Sequence, residues 1–155
     1  MKSIHNMQGT RPVMVIEDDM DDQELLQEAF RSLNYQNPVI FFSNGSDALN
    51  YLHQTSSPPA LIISDINMPK INGIEIRKRI NGSPELGRLD IPFVFLSTLS
   101  QKEAIADAGS LHDYCFFTKP YSMTELRRTI KTIVEYWVPR YTPALYLNSL
   151  NRQSI

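Results

Sequence analysis

Leu61-Ile62-Ile63-Ser64-Asp65 is an unbroken apolar run that ends on a hydroxyl and a carboxylate. It is continuous rather than alternating, as expected of a strand covered on both faces. Four more short runs read the same way: Val13–Ile16, Val39–Phe42, Phe93–Leu96 and Tyr114–Phe117. Pro12, Pro38, Pro58, Pro59, Pro92 and Pro120 punctuate the turns around them.

Helical patterns fill the gaps between the runs. Leu25, Leu26, Ala29, Phe30 and Leu33 make one apolar stripe, and Ala48, Leu49 and Leu52 a shorter one within 46–53. Ile74, Ile76 and Ile80 alternate with the basic Arg77, Lys78 and Arg79. A weaker stripe over 101–108 (Ala104, Ile105, Ala108) stops at Gly109, a common helix terminator. Leu126, Ile130, Ile133, Val134 and Trp137 form the strongest stripe, and Pro139 and Pro143 end it. Strand and helix alternate five times over. The fold expected is therefore α/β: a doubly wound, five-stranded parallel sheet of strand order 2-1-3-4-5, flavodoxin-like, with right-handed crossovers.

With 155 residues, one domain can bury a full core. The expected division is a leader over 1–10, the folded domain over 11–138 and a tail over 139–155. The net charge of −2 weighs against a general nucleic-acid binder. Cys115 is the single cysteine, so no intrachain disulfide can form and a reducing, cytoplasmic setting is expected. No segment has the pattern of a signal peptide, and none approaches the about 18 apolar residues of a membrane span. The aromatic-rich stretch Tyr136 to Leu147 could fold back on the domain or form a homodimer contact.

In open α/β sheets, ligands bind beyond the carboxyl ends of the strands, at the switch in strand order. Here the first strand runs into Glu17, Asp18 and Asp19, and the third into Asp65. The fourth ends in Ser97 and Thr98, the fifth in Lys119 and Pro120. Taken singly, each has a plainer reading. Asp19, Asp21 and Asp22 suit a helix cap and a solvated first turn, and Ser97 or Lys119 alone suits a turn. Acid pair, acid, hydroxyl and lysine on four strand ends of one edge make a site.

Converging carboxylates repel, and a hard divalent cation such as Mg²⁺ relieves the conflict. Asp18 and Asp65 are the expected direct ligands, with Glu17 acting through water, and Asn67 could add its backbone carbonyl. With the metal, Lys119 and Ser97 suit the equatorial oxygens of a phosphoryl group. A central carboxylate, best Asp65, can then be the nucleophile.

These residues resemble the receiver domain of response regulators from Arg11 to about Trp137. Val15-Ile16-Glu17-Asp18-Asp19 resembles the family's acidic pair. Ser64-Asp65-Ile66-Asn67-Met68-Pro69 with Asn72-Gly73 resembles its phosphoacceptor loop. Phe95-Leu96-Ser97-Thr98 resembles the switch hydroxyl strand, and Phe117-Thr118-Lys119-Pro120 the lysine-proline motif, which in the family carries a cis bond. The resemblance implies that Asp65 takes a phosphoryl group from a phosphohistidine on a sensor histidine kinase or phosphotransfer protein. It implies Mg²⁺ held by Glu17, Asp18, Asp65 and Asn67, with Ser97 and Lys119 on the phosphoryl oxygens. A partner-binding surface formed by 101–108, the fifth strand and the last helix would then switch, engaging a downstream protein target. Phe116 stands where members often carry a switch tyrosine. Thr98 is larger than the residue frequent there, and Leu99 replaces the polar residue of fast-dephosphorylating members, so a long-lived phosphoryl group is expected. No DNA-binding or enzymatic output domain is expected after Trp137.

Three rival readings fit parts of the pattern. An aspartate-nucleophile phosphatase of the haloacid dehalogenase type needs Asp-x-Asp in step with the strand, and Asp19-Met20-Asp21 comes one residue late. A flavodoxin needs a Gly- and hydroxyl-rich phosphate loop where this chain is acidic. The alternative retained is a pseudo-receiver, an interaction module not regulated by phosphorylation.

Overall fold

The computed structural model describes residues 11–98 and 115–138. The expectations for the leader, the 101–108 helix, Leu99 and the tail lie outside these residues. The elements run β1 (Val13–Ile16), α1 (Met20–Leu33), β2 (Val39–Phe42), α2 (Gly45–Gln54), β3 (Leu61–Ser64), α3 (Gly73–Gly82), α4 (Pro84–Gly87), β4 (Phe93–Ser97), β5 (Cys115–Thr118) and α5 (Met123–Trp137). All pairings are parallel, in the order β2-β1-β3-β4-β5. The five-stranded sheet is the one expected from the sequence.

The helices begin on side chains that accept from orphan backbone N–H groups. Asp19 accepts from Asp22 N at 2.9 Å, Asn44 from Asp47 N at 2.8 Å, and Asn72 from Glu75 N at 2.8 Å. Ser122 accepts from Glu125 N at 3.2 Å. Asn34 ends α1 in the left-handed conformation, φ 55°.

Alternation along each strand sorts the core into two layers. Val13, Val15, Leu61, Ile63, Val94 and Leu96 face Leu26, Ala29 and Phe30 of α1 and Leu126, Ile130, Ile133 and Val134 of α5. Met14, Ile16, Ile62, Phe93 and Phe95 face α2, α3 and Leu86 of α4. Each fully buried aliphatic side chain contributes about 2 kcal/mol, so two stocked faces hold a sheet of short strands.

Four details differ from the sequence reading. Only β1, β3 and β4 are covered on both faces; β2 and β5 are half-buried, since β2 is an edge and β5 the other end of the sheet. Leu25 is 49% exposed, and its place in the buried stripe belongs to Gln23. The short α4 has no counterpart among the apolar stripes of the sequence; Ser83 caps it, Pro84 opens it and Leu86 anchors it. The Lys119–Pro120 bond is trans, as no cis peptide occurs among the described residues. Trans is the intrinsically preferred isomer, and the long lysine arm reaches the pocket from it.

Every described element belongs to this one sheet-and-helix unit. Among the described residues, no helix is long and apolar enough to cross a membrane.

Candidate functional site

The strand register builds the site. Ile16 lies level with Phe42 and Ser64, Ser64 with Phe95, and Ser97 with Thr118. Glu17, Asp65, Ser97 and Lys119 therefore reach one edge together. Backbone bonds continue the ladder past the strand ends: Glu17 N donates to Phe42 O at 2.9 Å, Asp65 N to Ile16 O at 3.0 Å and Lys119 N to Ser97 O at 2.8 Å. The four backbones are fixed where the side chains converge.

Asp65 is 6% exposed. Its Oδ1 accepts from Ile66 N at 2.8 Å and from Ser97 Oγ at 2.9 Å. Its Oδ2 faces Lys119 Nζ at 3.5 Å. Ser97 is fully buried, so its hydroxyl has a fixed partner. Lys119 Nζ donates to Glu17 Oε2 and to Asp22 Oδ2, both at 2.9 Å. Glu17 is 2% exposed and accepts from Asp19 N through Oε1 at 3.2 Å. Gln23 Nε2 bonds Glu17 O at 2.5 Å and Ser43 Oγ at 3.0 Å, tying α1 to the end of β1 and to the loop after β2.

One carboxylate oxygen from each of Glu17, Asp18 and Asp65 falls within a 4.8 Å cluster. Asp18 is the most exposed of the three. An all-oxygen, anionic donor set of this kind fits a hard divalent cation that keeps waters on its open side. Asn67 is exposed in the loop between the buried Ile66 and Met68. Phe116 is partly buried and packs on the α2/α3 layer. Thr98 is exposed at the end of β4.

Burial pushes the Glu17 carboxyl up to about 7, and the Asp65 charge adds to the rise, against the pull of Lys119. Burial alone would lower the Lys119 ammonium, but its bonds to Asp22 and Glu17 and the charge of Asp65 hold it above the ordinary lysine range. The Glu17 shift has a measurable sign. Between its ordinary value of 4.5 and about 7, the folded protein holds a proton that the unfolded chain has released. Folded stability therefore falls as pH rises through that window. In chelator, the difference in Tm between the native protein and Glu17→Gln should grow against the native protein from about pH 5 to about pH 7.5. A difference that stays flat across that range would contradict the assignment.

Of the residues singled out from sequence, Glu17, Asp18, Asp65, Ser97 and Lys119 meet in this pocket. Asn67 is exposed in the loop after β3, and Phe116 of β5 packs on the α2/α3 layer. Asp22 and Gln23 were missed. Gln23 lies one turn before Leu26 on the buried side of α1, so helical spacing could have flagged it; Asp22 is part-exposed, and only the fold brings it to Lys119.

The response regulator receiver domain model matches residues 13–131. Response regulator Rcp1 of Synechocystis sp. is 29% identical over 135 residues, which cover 84% of this chain and 90% of Rcp1. The crystal structure of the phosphorylated cyanobacterial phytochrome response regulator RcpA superposes with a TM-score of 0.70 at 33% identity, covering 83% of this chain and 94% of RcpA. The Mn²⁺-bound form of response regulator Rcp1 superposes with a TM-score of 0.68 at 28% identity, covering 83% and 94% of the two chains. The match of sequence, fold and strand-end chemistry over most of its length makes this chain a member of the response regulator receiver domain family.

Proposed function

We propose that the chain is a single-domain response regulator, working through residues 11–138, that accepts a phosphoryl group on Asp65. The observation that carries this reading is the setting of the Asp65 carboxylate. Ser97 Oγ holds one oxygen at 2.9 Å, and Lys119 Nζ faces the other at 3.5 Å. Donors so placed neutralise charge on a phosphoryl group as it arrives.

The donor is a phosphohistidine of a sensor histidine kinase or phosphotransfer protein. The Asp65 carboxylate attacks phosphorus, and the P–N bond breaks. The electron pair stays on the imidazole nitrogen, which takes up a proton. The product is an aspartyl phosphate. Glu17, Asp18, Asp65 and the Asn67 carbonyl would hold Mg²⁺, which supplies charge neutralisation at the phosphoryl oxygens when bound. Ser97 then follows the phosphoryl group, and the surface beside β5, including Phe116, shifts toward a state that binds a downstream protein. The chain acts as a phosphoryl acceptor and switch.

The test is intact-mass spectrometry after incubation with acetyl phosphate, with Mg²⁺ or with chelator. A gain of one phosphoryl group with Mg²⁺, absent in chelator and mapped to Asp65 by borohydride reduction, is the expected result. A folded protein that gains none under either condition would be a pseudo-receiver instead.

A further inference from the structure

Lys119 is shared among three carboxylates, and the sharing is uneven. Its ammonium sits 2.9 Å from Glu17 and from Asp22, but 3.5 Å from Asp65. Glu17 and Asp65 belong to the carboxylate cluster that suits a divalent cation, and Asp22 lies outside it. Asp22 stands in the first turn of α1, where the Asp19 cap fixes its backbone, and its side chain is 38% exposed.

We infer that Asp22 is a positioning residue for Lys119, holding the ammonium to the α1 side of the pocket so that Glu17, Asp18 and Asp65 stay open to a divalent cation. This rests on the reading of Asp65 as phosphoacceptor. An ammonium has three donors, and Asp22 draws one of them out of the cluster. Without Asp22, the remaining anions near Nζ are Glu17 and Asp65. Attraction grows as separation shrinks, so the ammonium moves in between them. There it is a cation lodged in the place of the metal, and Mg²⁺ must displace it. The long, flexible lysine arm makes such a move easy.

The experiment is calorimetric titration with Mg²⁺, beside acetyl phosphate uptake by intact mass. Asp22→Asn is expected to weaken Mg²⁺ binding about tenfold, with uptake reduced at low Mg²⁺ and recovered at saturating Mg²⁺. Asp21→Asn removes the same charge from an exposed position in the same turn and is expected to cost about twofold or less. Asp22→Glu keeps a carboxylate within reach of Nζ and should keep native affinity. In a Lys119→Met background, Asp22→Asn should cost no more than Asp21→Asn, because no ammonium is left to position. Two results would overturn the inference: equal effects of Asp22→Asn and Asp21→Asn, or a large Asp22→Asn effect that persists in Lys119→Met. Native protein that binds Mg²⁺ but takes up no phosphoryl group would instead overturn the reading of Asp65, while the titrations still decide the role of Asp22.

Discussion

Asp65→Asn is expected to lose all Mg²⁺-dependent phosphoryl uptake and, in chelator, to melt at a higher temperature than the native protein. The two effects share one cause. Asparagine has the shape of aspartate, so its Oδ1 can still accept from Ile66 N and Ser97 Oγ, as the native oxygen does at 2.8 and 2.9 Å. The amide cannot attack phosphorus, so the covalent step is lost outright. The substitution also removes one buried charge from a cluster in which Asp65 and Glu17 are 6% and 2% exposed. Asp65 is among the causes that raise Glu17 to about 7. Without it, Glu17 ionises more easily at neutral pH and keeps its 2.9 Å bond to Lys119. Relief of about 1 kcal/mol corresponds to a rise of about 3 °C in Tm for a chain of this size. Mg²⁺ should narrow the gap, because it relieves the native cluster more than the variant. Phosphoryl uptake by Asp65→Asn would move the acceptor elsewhere. A lower Tm in chelator would mean that Asp65 contributes more through Lys119 than it costs through repulsion.

The architecture was legible because its signal is redundant. Five apolar runs at strand length, with amphipathic stretches between them, allow few arrangements other than a doubly wound sheet. The strand ends were legible for the same reason: each chemical residue lies within two positions of the end of an apolar run, as Glu17 follows Ile16 and Lys119 comes two after Phe117. What escaped was pairing across elements. Asp22 reads as one more acid in a helix's first turn, and only the fold brings it 2.9 Å from a lysine 97 residues away. Gln23 reads as polar surface, yet it is buried because two polar partners, Glu17 O and Ser43 Oγ, await it there. Leu25 reads as part of the apolar stripe of α1 and is exposed. Periodicity places a residue on a face, but competition for the single position that faces the sheet is settled by packing.

Gly73→Ala should produce the largest loss of stability of any substitution considered. Gly73 opens α3 directly behind the nucleophile, and its N–H donates to Ile66 O at 2.9 Å. A Cβ at this position would stand 2.1 Å from Asp65 O and 3.1 Å from Ser64 Oγ. The obstacle is backbone rather than the end of a flexible side chain, so either α3 or the Asp65 peptide must move. Ser64 Oγ also bonds Asp65 O at 2.7 Å, so the shift disturbs that contact too. Forced movement in a closely packed region of this kind costs about 3 kcal/mol, or roughly 9 °C in Tm. The carboxylate of Asp65 rides on the peptide that moves, and displacement of a nucleophile by a fraction of an ångström to 1 Å can cost about 10²-fold in rate. Gly82, the last residue of α3, supplies the contrast, since a Cβ there meets nothing within 4 Å. Gly82→Ala should therefore be neutral or gain about 0.5 kcal/mol by restricting the unfolded chain. Thermal melts of the two variants, with acetyl phosphate uptake measured below both midpoints, separate the causes. Opposite signs in Tm, with slowed uptake only in Gly73→Ala, would show that glycine is required at 73 for room behind Asp65. Equal melting of the two would mean that the loop after β3 yields freely, and that the placement of Asp65 comes from Ser97 and Ile66 N alone.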